Sequence, residues 1–333
     1  MTSHTTAPSE PAASPVTAPS EHAASPVTAP SEPATSPVTA AASGSWTLGD
    51  RAVHRIGFGA MRLPQTGRAL VPHAVPRDRE QAVRVLRRAV ELGVNHIDTA
   101  AFYFSPLRSA NELINRALAP YADDLVIATK VGPGRGLDGA WVEHARTPEQ
   151  LRGQVEENLR QLGRDHLDLV NLRIAGTDSI AERFGALAEL RQAGLIRELG
   201  VSNIHPHQLA EAQAIAPVRC VQNPYGIGAS PEQDALLRLC GEQGIAFVPF
   251  YAIAGAGRES GTGETEPAQV RAVAQARGVS PAQVRLAWTL HRGPHVLAIP
   301  GTGDLAHLED NIAAGALHLA PEELAQLDEA HAG

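Results

Sequence analysis

LDLVNLRIAGTDSIAERFGALAELRQAGLIRELGVSNIHPHQLAEAQAIAPVRCVQ, residues 167–222, alternates between two patterns. LDLVNLR (167–173), IRELGVS (196–202) and VRCVQ (218–222) are short apolar runs, whereas SIAERFGALAELRQAG (179–194) and HPHQLAEAQAI (205–215) read as amphipathic helices. Strand, helix, strand, helix, strand in that order calls for a parallel sheet covered by its own connections. The alternation continues on both sides. Upstream, IGFGA (56–60) precedes DREQAVRVLRRAVEL (78–92), where Ala82, Val83, Leu86, Ala89 and Val90 recur at helical spacing. VNHID (94–98) then precedes NELINRAL (111–118), and LVIATK (125–130) precedes TPEQLRGQVEENLRQLG (147–163). Downstream, SPEQDALLRLCGEQG (230–244) follows strand 218–222, and IAFVPF (245–250) precedes AQVRAVAQARG and SPAQVRLAWTLHRG. VLAIP (296–300) and DLAHLEDNIAAG (304–315) make the last unit. Eight strand–helix units predict the α/β class and a closed parallel (β/α)8 TIM barrel. Thr147-Pro148 and Ser280-Pro281 read as helix starts, Gly163, Gly194 and Gly244 as stops. WTLGDRAV (46–53) predicts an N-terminal β-hairpin turning at Gly49-Asp50.

The first forty or so residues are different material. TAPSEPAASPV (6–16), TAPSEHAASPV (17–27) and TAPSEPATSPV (28–38) repeat with a period of eleven. Prolines in every copy, and little that could be buried, predict a disordered tail over 1–44 ahead of a barrel over 45–333. The chain has 333 residues and a formal charge of −8, which argues against a nucleic-acid footprint. No apolar run approaches the roughly 20 residues that span a bilayer, and no secretory signal is visible at the N-terminus. Cys220 and Cys240 show neither metal-ligand spacing nor a disulfide framework, which points to a reducing, cytoplasmic compartment.

In such a barrel the chemistry gathers where strands end and loops begin. The strand ends present Asp98, Lys130, Arg173, Ser202-Asn203, Gln222-Asn223, Phe250-Tyr251 and Gly301-Thr302, with Tyr103 five residues beyond Asp98. Lys130 is the only lysine among 28 lysines and arginines, so an ammonium stands where arginine serves everywhere else. An ammonium is a compact point charge whose pKa responds to its surroundings. A carboxylate behind it and a phenol in front would form a relay of Asp98, Lys130 and Tyr103, tuning the phenol to exchange a proton with a carbonyl or alcohol oxygen.

With those residues in place, the chain from about Ser45 to Gly315 resembles the aldo-keto reductases, in particular the bacterial branch that includes pyridoxal reductases. GFGAMRL is similar to the family's first-strand segment, ELGVNHIDTAAFY to its Asp–Tyr stretch and LVIATK to its lysine strand. LGVSN, VQNPY and IPGTGDLAHLEDN resemble the cofactor-binding ends of strands five, six and eight. The resemblance implies reduction of an aldehyde or ketone, pyridoxal among them, by hydride from NADPH, with NADH as the alternative. It implies catalytic places for Asp98, Lys130 and Tyr103, the last as general acid. It further implies cofactor contacts from Gly59, Ala60 and Met61, from Asp98, from Ser202, Asn203 and Gln222 on the carboxamide, and from Phe250 and Tyr251 beside the ring. Gly301, Thr302, His307, Asp310 and Asn311 would hold the adenosine end, with helix 304–313 turning its N-terminal N–H groups toward phosphate. His307 is the sole basic group expected near a 2′-phosphate.

One place departs from the family pattern. Where a histidine usually ends strand four, this chain has Arg173, which can donate to a carbonyl but has no proton to exchange. Arg173 is therefore expected as a fixed cationic donor in the fourth catalytic place. GPGRG (132–136) lacks a GKS/T ending and reads as a flexible third loop; Trp141 there either closes over substrate or packs the loop. Arg62 is equally a surface charge or a substrate contact. No metal is expected: His205 and His207, in HPH at a helix start, read as loop polarity, and His291 and His295 flank a turn and face no carboxylate cluster in sequence. Two other functions stay open: a catalytically weak cofactor-binding sensor or regulatory subunit, and a Schiff-base lyase with Lys130 as nucleophile. A small carbonyl compound is the expected partner, with no nucleic acid and no membrane; oligomeric state is not readable.

Overall fold

The computed structural model describes residues 1–2, 37–136, 138–253 and 266–332. Most of the repeat tail and most of the 252–266 loop therefore lie outside the described residues. By internal contacts the chain divides into Met1–Ser36 and Pro37–Gly333. The second unit starts before Ser45. A short 3-10 helix, Ala40–Ser43, has Ala40 N–H bonded to the Leu92 carbonyl at 2.8 Å, and the Ser43 hydroxyl accepts from Ile56 N–H at 3.0 Å.

Seven parallel strands follow one another around the sheet in chain order: Phe58–Gly59, His96–Asp98, Val126–Val131, Leu167–Arg173, Ile196–Ser202, Val218–Gln222 and Ala246–Phe247. The eighth is reduced to two bridges, Phe247 with Val296 and Ile56 with Ala298. Hydrogen bonds from Leu297 N–H to the Phe247 carbonyl and from Gly57 N–H to the Ala298 carbonyl, both 2.9 Å, close the barrel between its last and first strands. Strands one and seven are two residues long, shorter than the runs 56–60 and 245–250, because pairing stops where the chain bends into the rim loops. The helices stand where the sequence places them. Thr147 and Ser280 form capping boxes with Gln150 and Gln283, and Gly163 takes the left-handed conformation (φ 64°) that ends its helix.

The hairpin Ser45–Leu48/Arg51–His54 turns at Gly49-Asp50 and plugs the barrel's N-terminal end. Leu48 and Val53 pack with Val126, Ala128, Leu169, Cys220, Ala246, Val248 and Leu297 in a small interior cluster. The larger core lies between sheet and helices. The C-terminal helix Pro321–Ala332 has no counterpart in the sequence reading. It anchors on buried Leu327, and its Asp328 accepts from the indole N–H of fully buried Trp288 at 2.8 Å. GPGRG is not a loose loop either: Gly134–Arg135 pairs antiparallel with Trp141–Val142. Among the described residues no helix is long and apolar enough to cross a membrane. Trp288→Ala, which empties an indole-sized volume and removes one of the two donors to Asp328, is expected to cost about 3–5 kcal/mol in urea denaturation.

Candidate active site

Parallel register decides which side chains meet. Strand two pairs Asp98 with Ala128, and strand three pairs Lys130 with Asn171, so Asp98 and Lys130 reach the same end of neighbouring strands. Lys130 Nζ donates to Asp98 Oδ1 at 2.6 Å and to the Thr99 carbonyl at 2.9 Å. It also lies 4.9 Å from the centroid of the Tyr103 ring. Burial by itself would push the amine down, but the Asp98 carboxylate and then the Tyr103 oxygen outweigh it, and Lys130 is held above its ordinary value. All three side chains are buried. Carboxylate, ammonium and phenol are thus brought together as the sequence suggests. Tyr103 keeps its place because its N–H bonds the Ala100 carbonyl and its own carbonyl accepts from Ala110 N–H.

Asp98 Oδ2 accepts from Gln222 Nε2 at 2.8 Å, which leaves Gln222 Oε1 buried with no hydrogen-bond partner. A buried acceptor without a donor is costly, and this one stands in a cavity wall. It suits the NH2 of a primary carboxamide. Deeper in the barrel His96 lines the same interior space as Asp98, Asn171 and Gln222. Burial pushes its imidazole down to about 4, so it is a neutral ring and adds no charge beneath the ion pair.

The cavity at the strand ends has a volume of about 240 Å³. Asp98, Tyr103, Lys130 and Arg173 all line it, as do Gly59, Met61, Gln222, Phe250, Tyr251 and Gly301. Arg173 Nη1 donates to the Ser202 hydroxyl at 3.1 Å, and its guanidinium carbon lies 4.8 Å from the Phe250 ring centroid. One face of Phe250 is therefore already taken by Arg173. Trp141, half exposed, lines the cavity opposite, its ring 5.8 Å from that of Phe102.

A second cavity shares Arg62 and Gly301 with the first and continues over Gly67, Arg68, Arg77, Thr302, Gly303, Asp304 and His307. Here the sequence expectation was incomplete. His307 is present, but the cation density comes from Arg62, Arg68 and Arg77 in the first loop, of which the sequence reading offers only Arg62. Arg77 donates from Nη1 to the Gly303 carbonyl at 3.2 Å, and a Cβ on residue 303 would sit 2.1 Å from its guanidinium carbon, so only glycine lets the arginine approach. The N-terminus of helix Leu305–Ala313 is also less open than expected. Asp304 caps it, its carboxylate accepting from His307 N–H at 3.0 Å. Ala60, Ser202, Asn203, Asp310 and Asn311 do not line either cavity. Asn203 instead donates to the Ile174 carbonyl at 2.9 Å, with a left-handed backbone (φ 58°). Among the described residues no group of three or more His, Cys, Asp or Glu side chains could hold a metal ion.

The profile of the Aldo/keto reductase family matches residues 55–332. Pyridoxine 4-dehydrogenase of Escherichia coli is 44% identical over 294 residues, covering 86% of this chain and 98% of the enzyme. An uncharacterized oxidoreductase of Schizosaccharomyces pombe is 37% identical over 289 residues, covering 86% and 90%. Among solved structures, an aldo/keto reductase of Klebsiella pneumoniae in complex with NADP and acetate superposes with a TM-score of 0.70 at 29% identity, covering 86% of this chain and 95% of that one. Removing one partner of the buried pair leaves the other charge stranded. Asp98→Ala is accordingly expected to lose about 3–5 kcal/mol at neutral pH, and the double change Asp98→Leu/Lys130→Met much less, both read by urea denaturation.

Proposed function

Because the chain belongs to the aldo/keto reductase family, we propose that it reduces an aldehyde or ketone to the alcohol with NADPH. The observation that carries this is the buried pair of Lys130 and Asp98 set against Tyr103 in a cavity wall. When bound, the coenzyme supplies the hydride; the chain's own residues hold and move the proton. Tyr103 gives its phenolic proton to the carbonyl oxygen. Lys130 stands beside the phenol and stabilises the charge left on its oxygen, and Asp98 keeps the ammonium charged and aimed. Arg173 offers N–H groups that lower the energy of a developing oxyanion, or pair with an acidic ring hydroxyl of the substrate. Gln222 Oε1 would accept from the coenzyme's carboxamide, which would give this buried oxygen a donor.

Flat aromatic walls (Phe102, Trp141, Phe250) and the cations Arg62 and Arg173 suit a planar aldehyde carrying an ionisable hydroxyl. Pyridoxal has that chemistry, and the name of the E. coli relative supports the same reading. Arg62, Arg68 and Arg77 favour the 2′-phosphorylated coenzyme over NADH. The Klebsiella complex with NADP agrees. A Schiff-base role for Lys130 fits poorly: an amine held above its ordinary value keeps its proton and has no lone pair to attack with. A coenzyme sensor would have no use for a proton donor beside a substrate-sized cavity. The same reading places the enzyme in the cytoplasm, where its two buried free thiols stay reduced; burial pushes Cys240 up to about 12.

The test is NADPH oxidation over an aldehyde panel that includes pyridoxal. Tyr103→Phe should lower turnover more than about a hundredfold and leave coenzyme affinity within about twofold. Turnover that survives would remove the phenol from the reaction. Arg173→Ala should lower kcat/KM for pyridoxal at least about tenfold, equal to about 1.4 kcal/mol. Arg77→Ala should raise the NADPH Kd about tenfold and leave the NADH Kd nearly unchanged, measured by quenching of tryptophan fluorescence.

A further inference from the structure

Arg135 belongs to the GPGRG stretch and does not line the cavity that holds Tyr103. Its side chain nevertheless donates to four backbone carbonyls. Nε donates to the Gly139 carbonyl at 3.0 Å, Nη1 to the carbonyls of Phe102 at 3.1 Å and Phe104 at 3.0 Å, and Nη2 to that of Val71 at 3.2 Å. Phe102 and Phe104 flank Tyr103. The guanidinium also lies over the Phe104 ring, 4.3 Å from its centroid, and 5.8 Å from that of Trp141. One planar group thereby ties together three loops. The first contributes Val71, next to the cavity residue Leu70; the second carries Tyr103; the third carries Trp141.

We propose that Arg135 is the positioning residue for Tyr103, fixing the phenol against Lys130 by holding the carbonyls on either side of it. This rests on the reading of Tyr103 as proton donor. The physical case is one of valence and shape. A guanidinium has five N–H donors in a rigid plane, so it can bridge several carbonyls on separate segments at once. No carboxylate forms an ion pair with it among the described residues, although Asp138 lies near enough to oppose the lowering of its pKa by burial. Its charge therefore works on carbonyl dipoles, not on a neutralising partner. Tyr103's own peptide is fastened within its loop at Ala100 and Ala110. Arg135 adds a hold from outside that loop, from the segment after strand three, on the peptides before and after the phenol. A lysine in its place would bring three donors from a single point and could not span carbonyls on both sides of Tyr103.

The experiment is a single-turnover measurement of coenzyme oxidation with enzyme in excess over pyridoxal, on Arg135→Ala, Arg135→Lys and Tyr103→Phe, with NADPH Kd measured alongside. A displacement of the reacting group by about 1 Å costs up to about a hundredfold. Arg135→Ala should therefore slow the single-turnover rate about tenfold to a hundredfold, with coenzyme Kd within about twofold. Arg135→Lys should fall between Arg135→Ala and the unsubstituted enzyme. A role confined to stability would lower the melting temperature and leave the rate at 25 °C untouched; that result overturns the proposal. If Arg135→Ala does not fold, Arg135→Lys decides: an unchanged rate overturns the proposal and a markedly slower one supports it. An unchanged rate in Tyr103→Phe would instead overturn the underlying reading of the phenol, so the two failures are distinguishable.

Discussion

A lysine ammonium buried 2.6 Å from a carboxylate, at the mouth of a parallel barrel, is the constraint on which the site depends. Taking two such charges out of water is expensive, and their attraction repays the cost only when the remaining hydrogen-bonding capacity is used. Here it is used. Thr99 accepts a second ammonium proton, Gln222 donates to the second carboxylate oxygen, and the Tyr103 phenol faces the ammonium. The neutral His96 in the interior beneath adds no competing charge. Asp98, Lys130 and Gln222 come from three different strands, the last of them far along the sheet, while Thr99 and Tyr103 come from the loop that follows Asp98.

Around this single lysine the chain uses arginine for every other cationic task, and the tasks differ in kind. Arg173 stacks on Phe250 and donates to the Ser202 hydroxyl, Arg77 wedges against Gly303 at the rim, and Arg135 bridges carbonyls of three loops. A planar fork suits all three: its flat face stacks on a ring in Arg173, and its fixed donor directions serve several carbonyls in Arg77 and Arg135. Holding one phenol oxygen with one carboxylate behind is the exception, and a point charge does that better. The overall charge of −8 hides this arrangement. Net charge describes the whole surface, whereas the mouth gathers Arg62, Arg68, Arg77 and Arg173 around two connected cavities.

Asp98, Lys130 and Arg173 were legible because they end strands whose apolar runs are unmistakable, and strand ends in a barrel share one rim. Tyr103 was legible only as a near neighbour of such an end. Arg77 was not, since it precedes Asp78, the cap of the first helix, and nothing local shows that the first loop folds across to Gly303. Arg135 read as loop filler for the same reason: its acceptors are backbone carbonyls, which carry no sequence signal. The C-terminal helix escaped notice because it gains its stability from Trp288 and Asp234, far away in the chain.

The sequence alone determined the order and number of the strand–helix units, the hairpin turn at Gly49-Asp50, the helix caps, and the strand-end positions of Asp98 and Lys130 with Tyr103 a few residues on. All of these are set by interactions within a few residues or by the two periodicities of the backbone. Tertiary structure alone decided that Gln222 Oε1 is left without a donor, that Arg173 occupies a face of Phe250, and that the first loop supplies the arginines at the second cavity. These depend on the closing of strand eight against strand one and on loops meeting over the rim, contacts between residues up to hundreds of positions apart whose geometry no local pattern encodes.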